Sequence, residues 1–263
     1  MTIITDNTTL MAYIPNVVTA VEGEQDLFTK LVPHLTVAEA WFFRNVASED
    51  SVTTDTAMLF ARSIVACEAF RNAVPSLNVI LTQNGFGIVS NQTTAPASKE
   101  RTESLVESLI EQRDNAIEQL VFLLNGQNTR FAGTVFCGYE AQRMQGITAH
   151  LFDKFTEQRA AVFRLLATLA EEALSEDVLQ QMVAAAYTDE ADRPAGLKYL
   201  YAYVPGIIVR QLKGEGCRED IRRVVDFLRT HPELFPHWLQ SHAATHWQDY
   251  TYTNDKSKGG YWL

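Results

Sequence analysis

Six carboxylates hold the most pronounced charge pattern in the chain. Glu100, Glu103, Glu107, Glu111, Asp114 and Glu118 are separated by 3, 4, 4, 3 and 4 residues, so on a helix all six share one face. Like charges at such spacings each cost roughly a few tenths of a kcal/mol, offset in part near a helix N-terminus. Two readings follow. The face is solvated, or it receives a basic partner or walls a channel that must not hold phosphates. Paired-carboxylate acid–base chemistry needs burial to split two pKa values, and an exposed stripe does not supply it.

Histidines gather late in the chain, at His231, His237, His242 and His246. His242 and His246 stand at i and i+4 and could turn one face toward a metal. The glutamate of an HExxH motif is missing, since Ala243 follows His242, and Phe235, Trp238 and Trp247 among them read as packing residues. Asn84-Gly85-Phe86-Gly87 lies between two β-type runs with no GK[ST] after it, which makes it a turn and not a phosphate cradle. Gly214-Glu215-Gly216 separates two helices, and no GxSxG elbow exists. Cys137 has no nearby histidine and reads as an inert thiol. No catalytic, cofactor-binding or metal-ligating residue is assigned.

The elements that position these residues are mainly helical. The stripe needs a long helix, predicted from about Ser98 to Leu124, with Leu105, Leu109, Ile117, Leu120 and Leu124 on its apolar side. Before it, residues 1–21 read as an extended N-terminal arm. Asp26 to Val32 reads as a short helix that Pro33 interrupts. A further helix opens on the capping box Thr36-Val37-Ala38-Glu39, and another runs from about Thr54 to Ala73 with Pro75 just beyond its end. Asn78 to Ser90 is predicted to form a β-hairpin about Asn84-Gly85. Later helices are expected over 147–173, 175–187, 196–213, 217–229 and, more briefly, 233–247, followed by an extended tail. Leu27-Phe28-Thr29-Lys30-Leu31 resembles Leu151-Phe152-Asp153-Lys154-Phe155, and Val121-Phe122-Leu123-Leu124 parallels Val225-Asp226-Phe227-Leu228, which suggests an internal duplication. The expected fold is mainly α, with helical-bundle units at 1–135 and 136–247, one hairpin and a tail at 248–263.

Composition narrows the function classes. The 263 residues are 46% hydrophobic, enough for a sizeable core, and 22 Lys+Arg against 32 Asp+Glu give a formal charge of −10. Such a balance argues against general phosphate-backbone binding, so no specific nucleic-acid partner is expected. Three cysteines, Cys67, Cys137 and Cys217, form no CxxC pair and fit a reducing compartment. The start carries no basic, apolar leader and no run approaches the ~20 apolar residues of a membrane span, so synthesis in the cytoplasm and no membrane partner are expected. Two segments suit protein contacts: the hairpin, through Phe86 and Ile88, and the tail, through Tyr250, Tyr252 and Trp262.

The segments Ala73-Val74-Pro75-Ser76-Leu77-Asn78-Val79, Gly85-Phe86-Gly87-Ile88-Val89-Ser90-Asn91 and Ala95-Pro96-Ala97-Ser98-Lys99-Glu100-Arg101 resemble an uncharacterised family of phages and prophages of Bacteroides-group gut bacteria. The ending, with Phe235-Pro236 and Gly259-Gly260, is similar to such proteins as well. The resemblance implies a non-enzymatic virion structural protein without cofactors, a head–tail connector or adaptor subunit. Its partners would be the portal or neighbouring tail and connector proteins, in a homo-oligomeric ring, with the particle as its final location. The acidic stripe would then suit a channel wall. Two rivals remain: a helical enzyme with a metal on His242 and His246, and a host-encoded helical scaffold or adaptor.

Overall fold

The chain is mainly helical. Its computed structural model describes residues 2–14, 26–77, 79–82, 85–88 and 98–247. The helices among them are α1 (Asn7–Met11), α2 (Leu27–Asn45), α3 (Asp55–Leu77), α4 (Lys99–Leu123), α5 (Glu140–Met144), α6 (Leu151–Leu169), α7 (Glu176–Ala184), α8 (Ala195–Leu212), α9 (Arg218–Thr230) and α10 (His242–His246). Between α3 and α4, β1 (Val79–Thr82) and β2 (Gly85–Ile88) pair antiparallel, with Val79 opposite Ile88 and Leu81 opposite Phe86. No described helix is long and apolar enough to cross a membrane.

The chain divides into two compact units, Met1–Ala160 and Ala161–Leu263, instead of parting at 135/136. Aromatic packing explains the later boundary. Phe131 stacks on Phe155 with ring centroids 3.9 Å apart, and Tyr139 meets Phe131 edge-on, so residues 136–160 complete the first core. Leu27–Leu31 and Leu151–Phe155 therefore fall in the same unit, and the two units are not the two expected copies.

Several predicted boundaries shift for local reasons. Pro33 does not break the helix but sits inside α2, whose N-cap is Asp26: its carboxylate accepts the Thr29 amide at 2.7 Å. Thr36 is no cap, since its hydroxyl donates back to the Val32 carbonyl at 3.0 Å, and Glu39 accepts the backbone amides of Ile3 and Ile4 instead. That contact organises the N-terminal arm. Rather than extended, it carries α1, capped by Asp6, and buries Ile3, Ile4, Leu10 and Ile14. Pro75 lies within the last turn of α3. α4 begins where Ser98 caps it, its hydroxyl accepting the Arg101 amide, and it ends as Gly126, at φ +70°, donates to the Val121 carbonyl at 2.8 Å. The segment 233–247 is not one helix. Pro236 interrupts it, leaving a short 3₁₀ turn over Trp238–Gln240 and then α10.

In the second unit α6 ends in a π-helical turn, Ala170–Leu174, before Ser175 caps α7. Such a turn displaces carbonyls from their usual partners. Two indoles reach them: Trp238 Nε1 donates to Ala173 at 2.9 Å and Trp247 Nε1 to Glu172 at 2.6 Å. The core of this unit is apolar: Val178, Leu200, Val204, Ile207, Val224, Leu228 and Trp238 are all buried.

Candidate functional site

α4 has two zones. From Lys99 to Ser108 no residue is buried, while from Leu109 to Val121 nine are. The upper zone touches α3 through Leu105 and Val106, which pack with Phe70 against Cys67, Val74 and Leu109. Because Val74 and Phe70 follow Cys67 on α3 while Leu105 and Val106 precede Leu109 on α4, the two helices run antiparallel.

This division splits the acidic stripe. Glu100, Glu103, Glu107 and Glu111 are exposed, but Asp114 and Glu118 are 3% and 7% exposed. The stripe is thus not a uniform solvated face. The segment from Gly138 to Phe155 covers its lower end and supplies donors. Asp114 accepts the Phe152 amide at 3.1 Å, and Glu118 accepts the Tyr139 amide at 3.3 Å and both terminal nitrogens of Arg143. Gly138 is required there. At φ +48° it sits where an added Cβ would come within 2.7 Å of Glu118 Oε1.

Below the stripe lies a buried ion cluster. Arg113, 1% exposed, donates to Glu68 of α3 at 2.9 Å and pairs with Asp114 at 2.8 Å and Asp153 at 3.4 Å. Its guanidinium lies 5.6 Å from the Trp41 ring centre and 5.5 Å from that of Phe152, contributing cation–π attraction to both. Glu68 also holds Arg71 at 2.6 Å and Asn72 at 3.1 Å. The titration directions follow from this sharing. Burial disfavours the Arg113 cation, yet Asp114 and Glu68 outweigh that and hold it firmly protonated. Burial also opposes Glu68 ionisation, but two arginines pull its carboxyl below the usual range. Among the described residues Asp114 has only Arg113 as an arginine partner, and burial wins, pushing it up.

Above the cluster opens a cleft of about 580 Å³ lined by Ser104, Glu107, Glu111, Asp114, Arg143 and His150, among others. His150, left-handed at φ +52°, precedes α6 and bridges the helices. Its Nε2 is 2.9 Å from Glu107 and its Nδ1 3.6 Å from Asp153. Both ring nitrogens face carboxylates, so the geometry is that of a tie between α4 and α6 and not of a base poised over a nucleophile.

The remaining candidates are not brought together. His242 lines a cavity of about 470 Å³ with Glu171, Asp177 and His237, whereas His246 lines a different one, of about 460 Å³, with Arg218, Arg222, Arg229 and Trp247. Among the described residues no group of three or more His, Cys, Asp or Glu gathers to hold a metal. Phe86 and Ile88 lie on β2, with side chains outside the described set, and Tyr250, Tyr252 and Trp262 lie outside the described residues. Cys67 is buried, and burial raises its thiol to about 11.

Sequence reasoning missed Glu68, Arg113, Arg143, His150 and Asp153. One signal was present: Glu68 interrupts Ile64-Val65-Ala66-Cys67 four residues after Ile64, which puts a charge on the buried face of α3 and demands a partner.

No curated protein matches the chain, and no solved structure does. Residues 23–142 match a family described as a family of unknown function (DUF6712), a stretch that holds Trp41, Glu68, Arg113, Asp114 and Glu118 and stops one residue short of Arg143.

Proposed function

We propose that the chain is a non-enzymatic assembly protein of a phage particle, a head–tail connector or adaptor subunit that forms a ring through protein–protein contacts. One observation carries the reading: the two-zone α4. Its lower half is locked to α3 and α6 by Arg113 and to α5 by Glu118, while its upper half buries nothing fully and leads back to the β1–β2 pair. A helix half that is polar nearly all round, fixed at one end to a rigid base, suits contact with a neighbour. Asp114 and Glu118 are committed to internal partners, so the six-carboxylate channel wall is not part of the proposal. The finer assignment, with β1–β2 and the tail also engaging neighbours, rests on the resemblance of the 73–101 region to phage and prophage proteins.

Quantitative mass spectrometry of DNA-filled particles, purified after prophage induction from the bacterium that encodes the chain, tests the reading. Recovery at the portal's copy number is expected. Absence from intact particles would overturn it, and a far higher copy number would replace the connector with a tail-tube or capsid role.

A further inference from the structure

The outer face of α9 is cationic and lines the cavity of about 460 Å³. Arg218, Arg222 and Arg229 fall within a narrow arc of the helix, since steps of 4 and 7 residues are close to one and two turns. The two carboxylates of this cavity are engaged nearby: Glu219 pairs with Arg223 at 3.3 Å and Asp226 with Arg229 at 3.8 Å. Arg218 and Arg222 are exposed and have no ion pair or hydrogen bond among the described residues. Trp247 and His246 close one side of the cavity, and Arg229 donates to the Trp247 carbonyl.

We propose that this α9 face receives the exposed acidic face of α4 from a second copy of the chain, which makes the contact head-to-tail. The inference rests on the ring reading and names its interface. Charge and spacing support the same occupant. In an antiparallel crossing Glu111 meets Arg218, Glu107 meets Arg222 and Glu100 meets Arg229. The intervals are 4 and 7 residues on both helices, spanning about 16 Å of axis on each. Glu100 and Glu111 are exposed and, like Arg218 and Arg222, have no partner among the described residues. A contact between unlike patches is heterologous and closes into a ring when its rotation permits. A nucleic acid fits this face less well. Phosphate-backbone binding draws on many uncompensated cations, whereas this face offers two among acidic neighbours, on a chain of net charge −10.

The experiment is sedimentation of the full chain over a concentration series, in about 0.05 M and about 0.5 M salt, where screening lengths differ roughly threefold. Three further samples are compared: Glu107→Lys with Glu111→Lys, Arg218→Glu with Arg222→Glu, and an equimolar mixture of these two variants. The wild type is expected to self-associate in low salt, each variant to associate about tenfold more weakly or less, and the mixture to recover, because every interface in it pairs opposite charges. Recovery in the mixture also shows that both variants are folded. The chain carrying all four substitutions gives a second check and should associate like the wild type. A monomeric wild type at every concentration, or variants that associate as it does, would overturn the interface. So would binding of short duplex DNA that Arg218→Glu with Arg222→Glu abolishes. The particle copy number judges the connector reading separately, so an interface failure with the chain present in particles leaves that reading standing.

Discussion

The two units use opposite means to hold a core together. In the first, the buried polar residues include four charged side chains, Glu68, Arg113, Asp114 and Glu118, and each has an opposite charge within 3 Å. In the second, the described residues bury no charged side chain, and Ser175, capping α7, is the one polar residue to reach the interior. An apolar core tolerates approximate fit, because dispersion and burial are non-directional. A buried ion cluster does not, because each member left alone carries its full desolvation cost. The first unit therefore fixes the orientation of α3, α4 and α6 more narrowly than apolar packing would, which suits the proposed contact through the upper half of α4.

Breaking the cluster at its centre should have the largest effect. Arg113→Met leaves Glu68 and Asp114 buried without their shared cation, and a loss of about 4 kcal/mol is expected. Hydrogen exchange resolved by peptide would show it as early opening of α3 and α4 with α8 and α9 unchanged. Adding Glu68→Leu and Asp114→Leu to that variant should restore most of the loss, since an apolar replacement leaves no uncompensated charge. If Arg113→Met alone left the exchange of α3 and α4 unchanged, the cluster would have no part in fixing them.

Glu68→Gln tests the same centre from the other side, with an expected loss of about 3 kcal/mol in urea unfolding. The sign of the pH dependence is set by the lowered pKa of Glu68. Its contribution is complete above its unfolded value near 4.5 and fades as pH falls through the lower folded value. The wild type and Glu68→Gln should therefore converge in stability only at pH values below that unfolded value, once the lowered folded pKa is passed. In the second unit the matching break is Trp238→Phe, which empties part of the pocket and leaves the Ala173 carbonyl of the π-turn without its donor. About 2 kcal/mol is expected, read on α7 and α9 by the same exchange measurement and unchanged between pH 7 and pH 4. A pH-dependent loss there would contradict the apolar account of that core.

How much of this was legible in the sequence depends on which force set each feature. α4 was readable to within a residue or so, because Ser98 caps it and its apolar stripe is regular. α8 and α9 were equally plain. Pro33 misled because the rule against interior proline is a cost and not a prohibition, and burial of Leu31, Leu35, Ala38 and Phe42 on one helix face outweighs it. Thr36-Val37-Ala38-Glu39 misled for a different reason. A capping box is local, and Glu39 was claimed by Ile3 and Ile4, more than 30 residues earlier. The site was harder still. Periodicity placed six carboxylates on one face, but nothing local says that the 138–155 segment folds over two of them. Only a charge on an apolar face, as at Glu68, marks such a cluster in advance.

The smallest expected effect sharpens the comparison within the cluster itself. Asp114 and Glu68 share Arg113, yet burial pushes the Asp114 carboxyl up while the second arginine holds Glu68 down. A group whose folded pKa is raised favours the fold when protonated, so ionised Asp114 weakens the first unit at neutral pH compared with its neutral form. Asp114→Asn keeps an oxygen for the Phe152 amide and leaves Arg113 with Glu68, and about 1 kcal/mol or less is expected at pH 7. As pH falls, wild-type Asp114 takes up its proton before Glu68 does, so Asp114→Asn should converge with the wild type at a higher pH than Glu68→Gln. Parallel urea titrations of the three proteins from pH 7 to pH 3.5 would show this order. The reverse order would mean that Arg113 is committed chiefly to Asp114, and that the tie within α4 and not the bridge to α3 holds the buried cation.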